Sequence, residues 1–379
     1  MRLLHRASPW RRLFAGEALP DPARLPDLLA PLREALEALG PDPDLADAHA
    51  WQPRLVAALA RLDLPAWRIS QLISDHNAWL TRRAIRLAEA EMHGQGWGAP
   101  PVRFCVLVLG SGGRHESLLA PDQDNAMILE DYPNARHVEI DGYFQTLGER
   151  FTARLDAAGI PLCSGHVMAR WPMWRKRLAE WQRQLEIWSA ERRVKRVQQA
   201  NILLDFTPVH GDEALAEALR DWVVERLPAA GLFLDEMGVL FNEQPVALDR
   251  FGRLAGAREG APHDRALNLK HQAMLPLVAA VRLLALRHGV RETDTRRRLA
   301  SLVAHEALDA ESSRALTAAH ARLQELLLAE QRRNLDAGRL ADGWVDIARL
   351  GEDERLLLRH DLKRIRALQK RARRPASPA

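Results

Sequence analysis

Residues Val102 to Leu129 read VRFCVLVLGSGGRHESLLAPDQDNAMIL, and their order decides the fold. Val102 to Leu109 is a mostly apolar, valine-rich run, which suits a strand buried on both faces. The GSGG turn follows at once, and a short helix is expected from it to about Leu119. Asn125 to Leu129 reads as a second short strand. Working outward, Val138 to Ala158 has helical periodicity, and Arg175 to Gln199 reads as one long charged helix. Ile202 to Val209, ILLDFTPV, reads as a third strand. Strands interleaved with helices in this way predict an α+β fold, a small mixed sheet backed by helices.

Both flanks read as helix. On the N-terminal side the patterns are Leu25–Leu39, Pro53–Leu62 and Pro65 to about Met92, closed by the glycine- and proline-rich HGQGWGAPP. Beyond Asp212 everything reads helical again: Glu213–Leu227, Leu232–Leu240, Leu269–His288, Asp294–Val303, Ala315–Ala337 and Glu352–Arg373. Short connections between amphipathic helices predict an antiparallel bundle. The expected organisation is a poorly ordered leader over 1–20 and an N-terminal helical region over 21–97. A sheet domain over 98–212 follows, then a helical domain over 213–373 and a disordered tail over 374–379.

Composition narrows the class. The chain has 379 residues, 47% hydrophobic and 27% charged, as in ordinary globular proteins. No run of eighteen uncharged apolar residues occurs, so no membrane partner is expected and a cytoplasmic location is. Charge is near balance, with 54 basic against 50 acidic residues, so a nucleic-acid partner is not expected either. The one dense basic cluster, Lys363 to Arg374, suits the solvated end of a helix. Cys105 and Cys163 belong to no ligand-spaced cluster and read as buried small hydrophobes. Histidines without ligand spacing carry no prediction. Trp174, Trp181 and Trp188 recur every seven residues, which predicts a packing stripe.

Chemistry concentrates in the opening stretch. Gly110 lets the chain turn sharply after the strand, and Gly112 and Gly113 keep side chains away. Backbone N–H groups there suit phosphate oxygens, with Ser111 as a donor and Arg114 as a neutralising cation. Asp122 and Asp124 stand at i and i+2, on one face of extended chain. Carboxylates that close repel unless a cation sits between them, and Mg²⁺ suits hard oxygen ligands. Asp205 lies inside the apolar ILLDFTPV, where a carboxylate is costly unless paired or metal-bound. Three acids would suit two-metal displacement at phosphorus. Each element alone is ordinary; their order is not.

On these motifs the chain resembles the polymerase-beta-type nucleotidyltransferase superfamily, whose pattern is Gly-Ser, about ten residues, Asp-x-Asp, then a carboxylate on a later strand. GSGGRHESLLAPDQDNAMI, GIPLCSGHVMARWPMWR (159–175) and ILLDFTPVHGD (202–212) are similar to one branch. That branch is related to bacterial protein-PII uridylyltransferase and glutamine-synthetase adenylyltransferase. LNLKHQAMLPLVAAVRLLALRHGV (267–290) resembles the branch's helical substrate-binding domain, and the likeness runs from about Ile69 to Arg371. The resemblance implies Mg²⁺-dependent transfer of UMP or AMP from a nucleoside triphosphate to an acceptor hydroxyl. Two Mg²⁺ ions, or Mn²⁺, would sit on Asp122, Asp124 and Asp205. Gly110, Ser111, Arg114, Glu116 and Lys270 would bind nucleotide, Glu116 by ordering Arg114, and Arg282 and Arg287 are further candidates. The acceptor would be a PII-like or other signalling protein, or a small molecule. The chain departs from the branch at His166 and Arg170–Trp171, and with about a hundred helical residues before the first strand it is expected to be a version stripped of the sensor modules that relatives often carry upstream. The rival reading is a nucleotide-binding regulator that has lost catalysis.

Overall fold

The computed structural model describes residues 13–191, 194–243, 245–256 and 259–374. The first part of the expected leader, 1–12, and nearly all of the expected tail, 375–379, lie outside the described residues. The chain divides into two compact units, residues 1–182 with 205–219, and residues 183–204 with 220–379.

The first unit opens with α1 (Ala30–Leu39), α2 (Leu45–Ala50), α3 (Gln52–Arg61) and the long α4 (Ala66–Gly94). Residues 13–20, expected to be poorly ordered, are packed instead. Phe14 is buried, and the Glu17 carbonyl accepts from Trp79 Nε1 at 2.9 Å. The apolar run becomes β1 (Phe104–Val108), followed by a single helical turn, α5 (Gly110–Gly113), then β2 (Asn125–Leu129) and α6 (His137–Ala157).

Three further expectations need correction between Gly110 and Gly211. The helix after the glycines does not reach Leu119. Glycines are poor helix formers, and His115 takes a positive φ of 57° that ends the turn. The predicted helix from Arg175 to Gln199 is three elements: β3 (Arg175–Arg177), α7 (Leu178–Glu191) and α8 (Val194–Leu203). Arg175 leaves the helix because its backbone pairs with Met127 and its guanidinium is buried against Asp141 and the Ala169 carbonyl. The strand predicted over Ile202–Val209 begins only at Thr207, as β4 (Thr207–Gly211). Ile202 and Leu203 close α8, because an apolar run has the same periodicity in a buried helix as in a buried strand.

The sheet has the order β3-β2-β1-β4 and is mixed: β1 is antiparallel to both β2 and β4, and β2 is parallel to β3. Its two central strands are almost wholly buried, as the valine-rich pattern predicted. α4 and α6 pack on each other; Phe104 of β1 meets Phe144 of α6 at 5.1 Å, and His210 of β4 meets Glu89 of α4 at 3.1 Å. Trp181 and Trp174 are buried with ring centres 6.2 Å apart, and Trp181 donates to the Met127 carbonyl. The stripe is therefore packing. α+β is the fold class observed.

The second unit holds α8 and, beyond α9 (Glu213–Arg226), α10 (Gly231–Val239), α11 (Leu275–Arg287), α12 (Thr295–Ala304), α13 (Ala310–Asp336) and α14 (Glu352–Ala372). α11 is buried along most of its length and packs on α10, α12 and α14. The expectation of helix alone fails at one place. β5 (Ala266–Asn268) pairs antiparallel with β6 (Trp344–Asp346), and strands of three residues carry too little alternation to be seen in sequence. A π-helical turn, Lys270–Met274, joins β5 to α11.

Candidate active site

Sheet topology brings three segments to one end of the sheet. Because β1 and β2 are antiparallel, the exit of β1 faces the entry of β2, and Leu109 N–H donates to the Asp124 carbonyl at 3.0 Å. β4 enters beside Val108, which places residues 205–207 at the same end.

The glycine turn is fixed by sterics. Gly110 has φ +59°, and a Cβ there would stand 3.0 Å from Asp124 Oδ2. At Gly112 a Cβ would be 2.4 Å from Val108 Cγ1, and at Gly113 2.1 Å from the Asp205 carbonyl oxygen. The turn is further tied by Thr207 Oγ1, which donates to the Gly113 carbonyl at 2.8 Å. The residues after it hang on α4: Ser70 Oγ donates to the Ser117 carbonyl, and Ser117 N–H donates to Ser74 Oγ. Ser111 is half-buried in the turn.

Two sets of carboxylates surround this turn. In the first, Arg114 is buried and donates through Nε to Glu116 at 2.9 Å and through Nη1 to Asp205 at 2.8 Å. Asp205 is wholly buried. Burial works against the Arg114 charge, but Asp205 and Glu116 outweigh it and raise its pKa. Asp205, expected on a strand, sits in the bend before β4, and its carboxylate accepts from Arg114.

The second set is Asp122 and Asp124. Gln123 between them turns inward and donates to the carbonyls of Thr152 and Ile160, so period-two alternation leaves Asp122 exposed and Asp124 half-buried. Asn125 then accepts from Ala169 N–H and donates its own N–H to the Val167 carbonyl. Together with a bridge between Gln123 and Leu162, these bonds lay residues 161–169 alongside. One ligand atom each from Asp122, Asp124 and Cys163 lies within 4.8 Å of the others, and Asp205 is outside that group. Burial pushes the Cys163 thiol up to about 11, and Asp124 adds to the rise. Cysteine sulfur is a soft ligand and these cations prefer hard oxygen, so the pair of carboxylates is the part that fits Mg²⁺ or Mn²⁺.

Sequence reasoning missed Cys163 as a neighbour of the acids, because nothing in its local spacing signals it. It also missed Gln123 and Asn125, whose polar character between two aspartates was the available signal. His166 has a positive φ of 58°, and its ring lies 5.5 Å from that of the exposed Trp171. Lys270 is in the second unit and exposed at the π-helical turn. Arg282 and Arg287, in the same unit, donate to Asn201 and Asp235.

Comparison with known proteins identifies the family. A family model described as "Putative nucleotidyltransferase DUF294" matches residues 50–195, which contain the glycine turn, Asp122, Asp124 and Cys163. A second, described as "Putative nucleotidyltransferase substrate binding domain", matches residues 231–375. No curated protein matches the chain. No described helix is long and apolar enough to cross a membrane. The two matches together take in most of the sequence, and the chain belongs to the DUF294 nucleotidyltransferase family, with its C-terminal substrate-binding domain.

Proposed function

We propose that the protein transfers a nucleoside monophosphate, UMP or AMP, from the triphosphate to an acceptor hydroxyl, with pyrophosphate released. The observation that carries this is the Asp122–Asp124 pair, one exposed and one half-buried on one face beside a glycine turn that has no room for a Cβ. The carboxylates would hold a divalent cation, Mg²⁺ or Mn²⁺. Such a cation neutralises the triphosphate and makes the acceptor hydroxyl easier to deprotonate. Gly110 gives Asp124 clearance, and Ser111 stands where a phosphate oxygen would receive its hydroxyl proton. Arg114 and Glu116 act through the turn: with Asp205 they brace it from beneath. Lys270 and the helical domain would take part in acceptor or nucleotide binding, and the acceptor would be a PII-like or other signalling protein, or a small molecule.

One observation favours the rival reading, a nucleotide-binding regulator without catalysis: Asp205 is engaged with Arg114. A single experiment separates the two. The protein and its Asp122→Ala/Asp124→Ala variant are incubated with labelled UTP or ATP, Mg²⁺ and cell lysate. Label on a macromolecule or small product with the wild type and none with the variant supports transfer. Nucleotide binding with no label transfer by either protein sinks the enzyme and leaves the regulator.

A further inference from the structure

Beside the acids, on the side of β2 away from the glycine turn, lies a segment whose side chains the proposed transfer leaves unused. β2 stands between β1 and β3, so the turn at the exit of β1 flanks Asp124 on one side. Residues 161–175 flank it on the other, through the Gln123–Leu162 bridge and the parallel pairing of β3 with β2. Parallel pairing also brings the residues just before Arg175 toward the entry of β2, where the acids are. Cys163 reaches both acids, and the His166 N–H donates back to the Cys163 carbonyl at 3.0 Å. That turn keeps the Cα atoms of Cys163 and His166 within about 7 Å. The His166 ring then meets the Trp171 ring, nearly perpendicular, with centres 5.5 Å apart.

This aromatic pair faces water. Trp171 is 43% exposed, and Leu162 of the same segment is 36% exposed. An exposed indole beside a polar site offers a flat apolar face to a flat ligand. The Arg170 guanidinium stands 5.8 Å from the centre of the same ring. His166 keeps a left-handed backbone, φ 58°, and such strain persists only where the surroundings fix it. The pair is therefore held in place rather than trailing from a loose loop.

The order across the sheet is glycine turn, acids, aromatic pair. The order along a nucleoside triphosphate is terminal phosphates, α-phosphate, sugar, base. Phosphate oxygens at the turn and displacement at the acids leave the sugar and base toward Trp171. Every base has a π-face, and stacking on an aromatic ring needs no particular donor or acceptor.

We propose that Trp171 is the platform on which the base of the bound nucleoside triphosphate stacks, with His166 packed against the indole and Arg170 bordering the stack. The direction in which the nucleotide lies rests on the transfer reading. Trp171 would then set nucleotide affinity and take no part in the chemical step.

The test is calorimetric binding of UTP and of ATP to the full chain with Mg²⁺, beside inorganic tripolyphosphate, which carries the phosphates and no base. UTP or ATP should bind the wild type more tightly than tripolyphosphate does. Trp171→Ala should weaken that nucleotide by about tenfold, within the range for one stacked base, and leave tripolyphosphate unchanged. Trp171→Phe, which keeps a ring, should recover most of the lost affinity. Nucleotide should also quench tryptophan fluorescence in the wild type where tripolyphosphate does not, and the quench should vanish in Trp171→Phe. That second measurement decides the matter if Trp171→Ala does not fold. Equal nucleotide binding by wild type and Trp171→Ala, quenching that persists in Trp171→Phe, or no preference for nucleotide over tripolyphosphate would each overturn the platform and leave transfer intact. Nucleotide that stacks on Trp171 but is never transferred sinks the transfer reading and leaves the platform. No binding of either ligand overturns both.

Discussion

The two sets of carboxylates around the glycine turn share residue type and location, yet they do opposite things. Asp205 and Glu116 are buried and occupied by Arg114, and their oxygens hold the fold together. Asp122 and Asp124 stand toward solvent, with Gln123 anchored inward between them. The difference teaches that a costly buried acid has two remedies, a cation from outside or a cation from the chain itself. Here the chain supplies its own cation for one set, while the other lies nearer the surface beside Cys163.

This contrast is breakable. The largest effect is expected at Asp205→Ala, which would strand a buried guanidinium and cost about 3–5 kcal/mol of unfolding free energy. A denaturant titration giving a loss under about 1 kcal/mol would show that Asp205 is not a brace. Gly113→Ala comes next. Its Cβ meets a backbone carbonyl at 2.1 Å, so the turn or the bend at Asp205 must move, at about 1–3 kcal/mol. A neutral result would mean the brace is loose.

Titration sharpens the same distinction between buried and open groups. His76 is buried, and burial, reinforced by His49, lowers its pKa from 6.5 to about 3. A depressed pKa makes the neutral form a source of stability that is complete above pH 6.5 and lost as pH falls toward 3. Unfolding measured between pH 7 and pH 4 should therefore show stability falling with acid, and His76→Gln should flatten that slope. An unchanged slope would place the acid sensitivity elsewhere. The smallest stability effect is expected for Asp122→Ala/Asp124→Ala. Two exposed or half-exposed acids without a bound cation should change unfolding by no more than about 0.5 kcal/mol while transfer is lost. A large loss of stability would erase the distinction between the two sets.

Much of this molecule was legible in the residues. The valine-rich run, GSGG and NAMIL named the two central strands and the turn between them, because burial on both faces and freedom from Cβ leave strong local marks. The i, i+2 spacing put Asp122 and Asp124 on one face without any tertiary knowledge. The long helices α4, α6, α11, α13 and α14 were found by period alone.

Partner choice was not legible. ILLDFTPV predicts strand throughout, yet Ile202 and Leu203 close α8, and docking at Val108 starts β4 only at Thr207. Asp205 announced that it needed a cation, but sequence has no term for distance, so it could not say that Arg114 would be that cation. Cys163 looked like a small hydrophobe until the backbone of 161–169 paired beside Gln123 and Asn125 and set its thiol against the acids. Local pattern determined the elements, the turn and the exposed pair of acids. Only the folded chain, by bringing residues about ninety positions apart to 2.8 Å, decided which acid Arg114 would hold.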